Sequence, residues 1–189
     1  MREALLLGPP HLSLYQLTIE PQTAFAGAVA RGKWAPPADD AAAELYDVAQ
    51  EETARAGLAA YEVSNHAAPG GESRHNLIYW TGGDYAGVGP GAHGRLTEPG
   101  ARLATETPLR PEDYLGTVER AGAGASLVER LDAAAARMEK LSMGLRVSGG
   151  VALDADDIAA LGGRIDALAR DGLLVRDGSR LAATPDGRR

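Results

Sequence analysis

Eight consecutive residues, Ser73-Arg74-His75-Asn76-Leu77-Ile78-Tyr79-Trp80, place an imidazole, an amide, a guanidinium and two large aromatic rings in one short stretch. The whole chain has four histidines and 5% aromatic residues, so this concentration stands out. An imidazole offers a metal ligand or a proton carrier, and tyrosine and tryptophan offer flat surfaces with a polar edge. Such a set could hold a planar cofactor with a metal at its centre. The plainer alternative, a loop whose aromatics plug the end of a core, fits the same residue types. Behind the stretch runs a glycine-rich segment from Gly82 to Gly94 that includes Gly89, Gly91 and His93. Its spacing lets the backbone approach a ligand closely. No lysine followed by serine or threonine makes it a phosphate loop, and it lacks the dinucleotide fingerprint.

The elements around these residues follow from periodicity and punctuation. Residues 1–8 read as the last turns of a helix, stopped by Gly8 and two prolines. Residues 12–19 read as a strand apolar on both faces, which suits a covered parallel strand. Residues 22–37 look irregular, and Asp39 or Asp40 is expected to cap a helix running to Ala56. Residues 60–65 read as a second strand, which completes a strand–helix–strand unit with a parallel sheet. Beyond about residue 110 the pattern turns helical: Pro111 to about Ala121, Asp132 to about Arg146, and then one or two short helices from Leu153-Asp154 up to Arg170. Residues 173–182 form a hairpin with an Asp177-Gly178 turn. Helices followed by a hairpin resemble a winged helix.

Composition narrows the function classes. At 189 residues the chain can bury a core, and 44% hydrophobic residues is ordinary for a globular protein. No apolar run approaches a membrane span, and no cleavage site follows the short apolar start, so a cytoplasmic location is expected. A net charge of −7 argues against nucleic-acid binding, and in the last 80 residues aspartates offset the arginines. There is no cysteine, which excludes disulfides, thiolate zinc sites and any cysteine-ligated iron–sulfur cluster held by this chain.

Several stretches in order resemble one family. Residues 11–21, Tyr61-Glu62-Val63-Ser64-Asn65, the His-Asn-x-x-Tyr-Trp run of His75 to Trp80, Gly82 through His93, and Leu141-Ser142-Met143-Gly144-Leu145-Arg146 are similar to successive motifs of the HemW-type radical-SAM heme chaperones. These are relatives of the oxygen-independent coproporphyrinogen dehydrogenases. The resemblance implies an α/β fold: the last strands of a radical-SAM parallel βα barrel over residues 1–110, then a helical, winged-helix-like domain over 111–189 ending in a β-hairpin. It also implies that an N-terminal barrel half, with its three-cysteine motif for a [4Fe–4S] cluster and S-adenosylmethionine (SAM), is missing. The chain would then be a fragment, a split protein or a degenerate remnant.

By the same resemblance, His75 is the candidate heme-iron ligand, with Tyr79 and Trp80 flanking the ring. Asn76 would orient the histidine or hold its loop, and Arg74 would meet a propionate. Gln16, Thr18, Gly89, Gly91 and His93 would lie next to the SAM pocket. His66 is a second candidate iron ligand or, more plainly, a packing residue; His11 is solvent-facing or structural. No catalytic residue is expected, because radical chemistry needs the absent cluster. The implied partners are heme, the missing half or a heme-accepting protein, including a membrane-associated one, and no nucleic acid. Two other readings stay open: part of a coproporphyrinogen III oxidase-like oxidoreductase, and a protein-interaction module in residues 110–189. A barrel lacking its first strands leaves a raw sheet edge, so self-association or marginal stability is expected for residues 1–110.

Overall fold

A computed structural model describes residues 1–188, which gather into two compact units, 1–72 and 73–188. The segment beyond residue 110 therefore shares its unit with the His75 stretch.

In the first unit, helix α1 (Arg2–Leu5) is followed by strand β1 (His11–Ser13), helices α2 (Ala24–Ala30) and α3 (Asp39–Arg55), and strands β2 (Ala59–Glu62) and β3 (Asn65–Ala67). Helix α1 is tied to α3 by Arg2, whose guanidinium bonds Glu52 at 2.7 Å. That bond, together with the nearby charges of Arg2 and Arg55, outweighs partial burial and holds the Glu52 carboxyl down at about 2.

Several sequence expectations change here. The strand expected over 12–19 ends at Ser13; the Leu14 N–H still bonds the Ser64 carbonyl at 2.8 Å, and Tyr15 and Leu17 beyond it are exposed. Residues 24–30, expected to be irregular, form α2 because the Thr23 hydroxyl caps it at Ala26. Helix α3 is capped at Ala38, with Asp39 and Asp40 in its first turn, where carboxylates favour the positive end of the helix dipole. The stretch expected as one strand, 60–65, turns back at Val63-Ser64 and becomes the β2–β3 hairpin. The sheet order is β1-β3-β2, with both pairings antiparallel. Strands β1 and β2 run the same way, as a strand–helix–strand unit requires, but β3 lies between them.

The second unit opens with helix α4 (Arg74–Trp80), which is the His75 stretch, a helix and not a loop. An antiparallel sheet follows: β4 (His93–Glu98), β5 (Ala101–Glu106) and, after helix α5 (Pro111–Ala121), β6 (Leu127–Leu131). Sequence reading did not anticipate this sheet. It dictates two of the glycines: a Cβ on Gly94 would meet the Thr105 hydroxyl at 2.5 Å, and one on Gly87 would meet the His93 carbonyl oxygen at 2.6 Å. These glycines admit the chain's own neighbouring strand.

Helix α6 (Ala133–Gly144), strand β7 (Val151–Ala152), helix α7 (Ala155–Arg170) and strands β8 (Leu174–Asp177) and β9 (Arg180–Ala183) form the winged arrangement expected, with sheet order β7-β9-β8. Helix α6 is capped by Asp132, and α7 by a reciprocal capping box of Asp154 and Asp157. The two residues between the hairpin strands are Gly178 and Ser179, with Gly178 at φ +57, so Asp177 belongs to the strand. The core joins Leu141, Leu153, Ile165, Leu174, Leu181 and Ala183. Leu181 is 1% exposed, whereas Val175 on the same hairpin is 56% exposed. Leu181→Ala is therefore expected to cost about 2–5 kcal/mol, through lost burial and a cavity, and Val175→Ala no more than about 0.5 kcal/mol. Urea unfolding of the two variants checks the contrast.

Candidate functional site

Ser73 starts α4: its hydroxyl accepts the Asn76 backbone N–H at 3.2 Å. Gly82, at φ +72, closes the other end, its N–H bonded to the Tyr79 carbonyl. Residues four apart share a helix face, so the fold aligns His75 with Tyr79. The Tyr79 hydroxyl and His75 Nε2 are 2.8 Å apart, with the rings edge to face at 4.7 Å. Tyr85 extends the row, edge to face with Tyr79 at 4.4 Å. Tyr79 thus meets the His75 ring directly. The His75 side chain is exposed, as is that of Arg74 at the start of the helix.

Two further residues belong to this neighbourhood that sequence reasoning did not assign to it. Tyr85 lies within the glycine-rich segment, and its spacing from His75 carries no helical signal. Arg146 stacks its guanidinium 4.5 Å from the centre of the Trp80 ring, a cation–π contact between elements far apart in sequence. The Trp80 indole nitrogen is buried without an acceptor among the described residues. A buried donor left unbonded costs about 1–3 kcal/mol.

Beyond Tyr79 and Trp80 opens a cleft of about 590 Å³. Ala133, Ala136, Met143 and Val151 give it apolar surface, and its charged lining balances the cations Arg102, Arg137, Lys140 and Arg180 against the carboxylates Glu139, Asp154, Asp156 and Asp157. Three of these four cations are committed. Arg102 pairs with Asp84 at 3.0 Å, Arg137 with Asp157 at 3.1 Å, and Lys140 with Asp154 at 3.0 Å and Asp157 at 2.5 Å. Asp84 lies below the usual carboxylate range mainly because the Thr97 hydroxyl and backbone N–H donate to it.

The remaining candidates fall elsewhere. Gln16 and Thr18 are exposed residues of the first unit, and the Gln16 amide donates to the Ala42 carbonyl at 3.0 Å. Gly89, Gly91 and His93 belong to the second. The Thr107 hydroxyl donates to the Gly89 carbonyl at 2.6 Å and accepts the Ala92 N–H at 2.7 Å, which fixes this loop. His93 faces Glu106 across the β4–β5 ladder at 3.5 Å, both half exposed to solvent. His66 is 1% exposed with Nε2 3.2 Å from the Gln50 amide oxygen, so it packs within the first unit. His11 is structural, bonded to the Tyr61 hydroxyl at 2.9 Å. Glu62 is buried and accepts from the Ser64 N–H at 3.0 Å and from the Asn65 amide, while Glu20 is exposed.

Among the described residues, no three histidine, aspartate or glutamate side chains cluster to hold a metal ion. A lone exposed histidine fits heme, whose macrocycle supplies the other donors and which needs one axial ligand from the protein. A [4Fe–4S] cluster does not fit this chain, which has no cysteine to hold it. No described helix is long and apolar enough to cross a membrane.

Comparison with known proteins defines the class first. The fold matches that of coproporphyrinogen III oxidase (HemN) from Escherichia coli, a radical-SAM enzyme, with a TM-score of 0.66 at 15% identity. The match covers 99% of this chain and 47% of that one. The sequence is 40% identical over 189 residues to the heme chaperone HemW of Mycobacterium tuberculosis, covering 98% of this chain and 46% of that protein. It is 36% identical to the mouse (Mus musculus) protein called radical S-adenosyl methionine domain-containing protein 1, mitochondrial, across 94% of this chain and 43% of the other. Against the heme chaperone HemW of Escherichia coli it is 45% identical over 112 residues, 58% of this chain and 28% of that protein. A family model described as the CAP N-terminal conserved motif matches residues 125–160 alone. The chain belongs to the HemW-type radical-SAM family and corresponds to its C-terminal region, spanning about half the length of the relatives it matches.

His66 carries a pH dependence. Burial pushes its imidazole below the usual 6.5, and His11 pushes the same way, against the Leu12 backbone and the Glu62 carboxylate. Below about pH 6.5 the unfolded chain takes up a proton that folded His66 does not, so stability falls as pH drops. Urea midpoints measured between pH 7 and pH 5 are expected to decline in the wild type and to decline less in His66→Gln.

Proposed function

We propose that the chain is the heme-handling part of a HemW-type protein, with His75 as the axial ligand. The observation that carries this reading is the exposed imidazole on α4, met by Tyr79, which Tyr85 backs in turn, in a chain 40% identical to a protein called heme chaperone HemW. With its lone pair on Nε2, the imidazole accepts a hydrogen bond from the Tyr79 hydroxyl, and iron at Nε2 would replace that bond. The phenol holds the ring at a fixed orientation until then, which lowers the ordering cost of ligation. Tyr79 and Trp80 supply aromatic surface beside the ligand. When bound, heme supplies an iron centre that takes one ligand from the protein.

In this reading heme is cargo, and the partners are a heme-accepting protein and the half of the family's length that this chain does not span. Exposed apolar residues of the first unit, among them Tyr15, Leu17, Leu45 and Val48, support a covering partner or self-association. Cytoplasmic placement belongs to the same proposal. A second reading, part of a coproporphyrinogen oxidase-like oxidoreductase, is favoured by the fold match to HemN. Its cluster would have to come from residues outside this chain.

A hemin titration of the purified chain, followed by absorbance, tests the leading reading. Saturable binding with a Soret band, lost in His75→Ala, is expected. Binding indifferent to His75, or none, overturns it.

A further inference from the structure

Two residues that line the cleft beyond α4 carry a hydrogen-bond donor without a matching acceptor among the described residues. The Trp80 indole N–H has none among the described residues. Arg180 spends Nε on the Gly149 carbonyl at 2.5 Å and is the one lining cation not paired with a carboxylate among the described residues. Its two terminal nitrogens are therefore available to a ligand in the forked geometry that suits a carboxylate. Ala133, Ala136, Met143 and Val151 share the lining, and about 590 Å³ is within the range of sites for small organic molecules. An apolar body ending in carboxylates complements this arrangement. Four carboxylates also line the cleft: Glu139, Asp154 and Asp157 are each paired with a cation, and Asp156 is exposed, so it remains solvated and opposes such a ligand only weakly.

Tyr79 links this cleft to the iron ligand, since it lines the cleft and its hydroxyl meets His75 Nε2 at 2.8 Å. We propose that the propionate end of the macrocycle ligated by His75 lies in the cleft, its carboxylates bonded by Arg180 and by the Trp80 indole N–H. This rests on the heme reading above. It sets the direction of the disc along α4. Arg74, the propionate partner expected from sequence, begins the helix that Trp80 ends, about 9 Å away along the axis. The two arginines thus demand opposite orientations.

The test compares hemin with its dimethyl ester, which keeps the iron and the ring but removes the carboxylate charge. The wild-type chain is expected to bind hemin roughly tenfold more tightly than the ester, the effect of one good charge-assisted contact. Arg180→Gln should erase that preference while leaving the His75-dependent Soret band in place, and Trp80→Phe should reduce it. Circular dichroism melts confirm that the variants fold. A His75-dependent Soret band whose preference for hemin survives Arg180→Gln, or disappears in Arg74→Gln instead, overturns the cleft assignment alone. Absence of any His75-dependent band overturns the heme reading and the cleft assignment together.

Discussion

Asp157 sits at 2% exposure near the start of α7 and collects three donors: Arg137 and Lys140 from α6, and the backbone N–H of Asp154. A buried carboxylate is tolerable only when its lone pairs are met, and removing one partner of such a group costs several kcal/mol. The requirement fixes α6 against α7 in one register. That register places Arg137, Lys140 and Asp154 along the wall of the cleft and leaves the apolar faces of both helices to meet Leu174 and Leu181 of the wing. Charge satisfaction and core packing thus select the same arrangement, and the cleft is what remains on its polar side.

The second structural constraint is local. A helix of seven residues is too short to be stable alone. Helix α4 persists because Ser73 caps it, Gly82 ends it, and its aromatic residues find partners in Tyr85 and Arg146. The side chains that orient the candidate iron ligand are also those that hold its helix in place. Replacing Tyr79 therefore touches both ligand geometry and helix stability, and a conservative phenylalanine separates the two.

Much of the second unit was legible because helical periodicity and chemical punctuation agree there. Pro111 at a first turn, Asp132 and Asp154 at caps, and Gly178 in a tight turn each mark a boundary that the structure keeps. The β4–β5–β6 sheet was not legible. Its strands carry Arg95 and Arg102 toward Glu139 on α6, so polar residues occupy the covered face and the alternation that marks a strand is lost. The β2–β3 hairpin hid for another reason: its turn is Val63-Ser64, with no glycine or asparagine to announce a reversal. Within the candidate site, His75, Tyr79 and Trp80 could be read from their types and spacing. Tyr85, Arg146 and Arg180 could not, since their roles arise from tertiary approach.

The order β1-β3-β2 carries a consequence for how the first unit assembles. Strands β2 and β3 are joined by two residues, whereas His11 of β1 meets Ala67 of β3 across more than fifty residues of chain. Loop closure makes the first pairing far easier than the second, so the hairpin forms early and β1 joins late, along the free side of β3. The same asymmetry works in reverse: β1 detaches at lower cost than the hairpin opens. The segment that leads into Gln16 and Thr18 is thus the part of the sheet that exchanges its amide protons soonest.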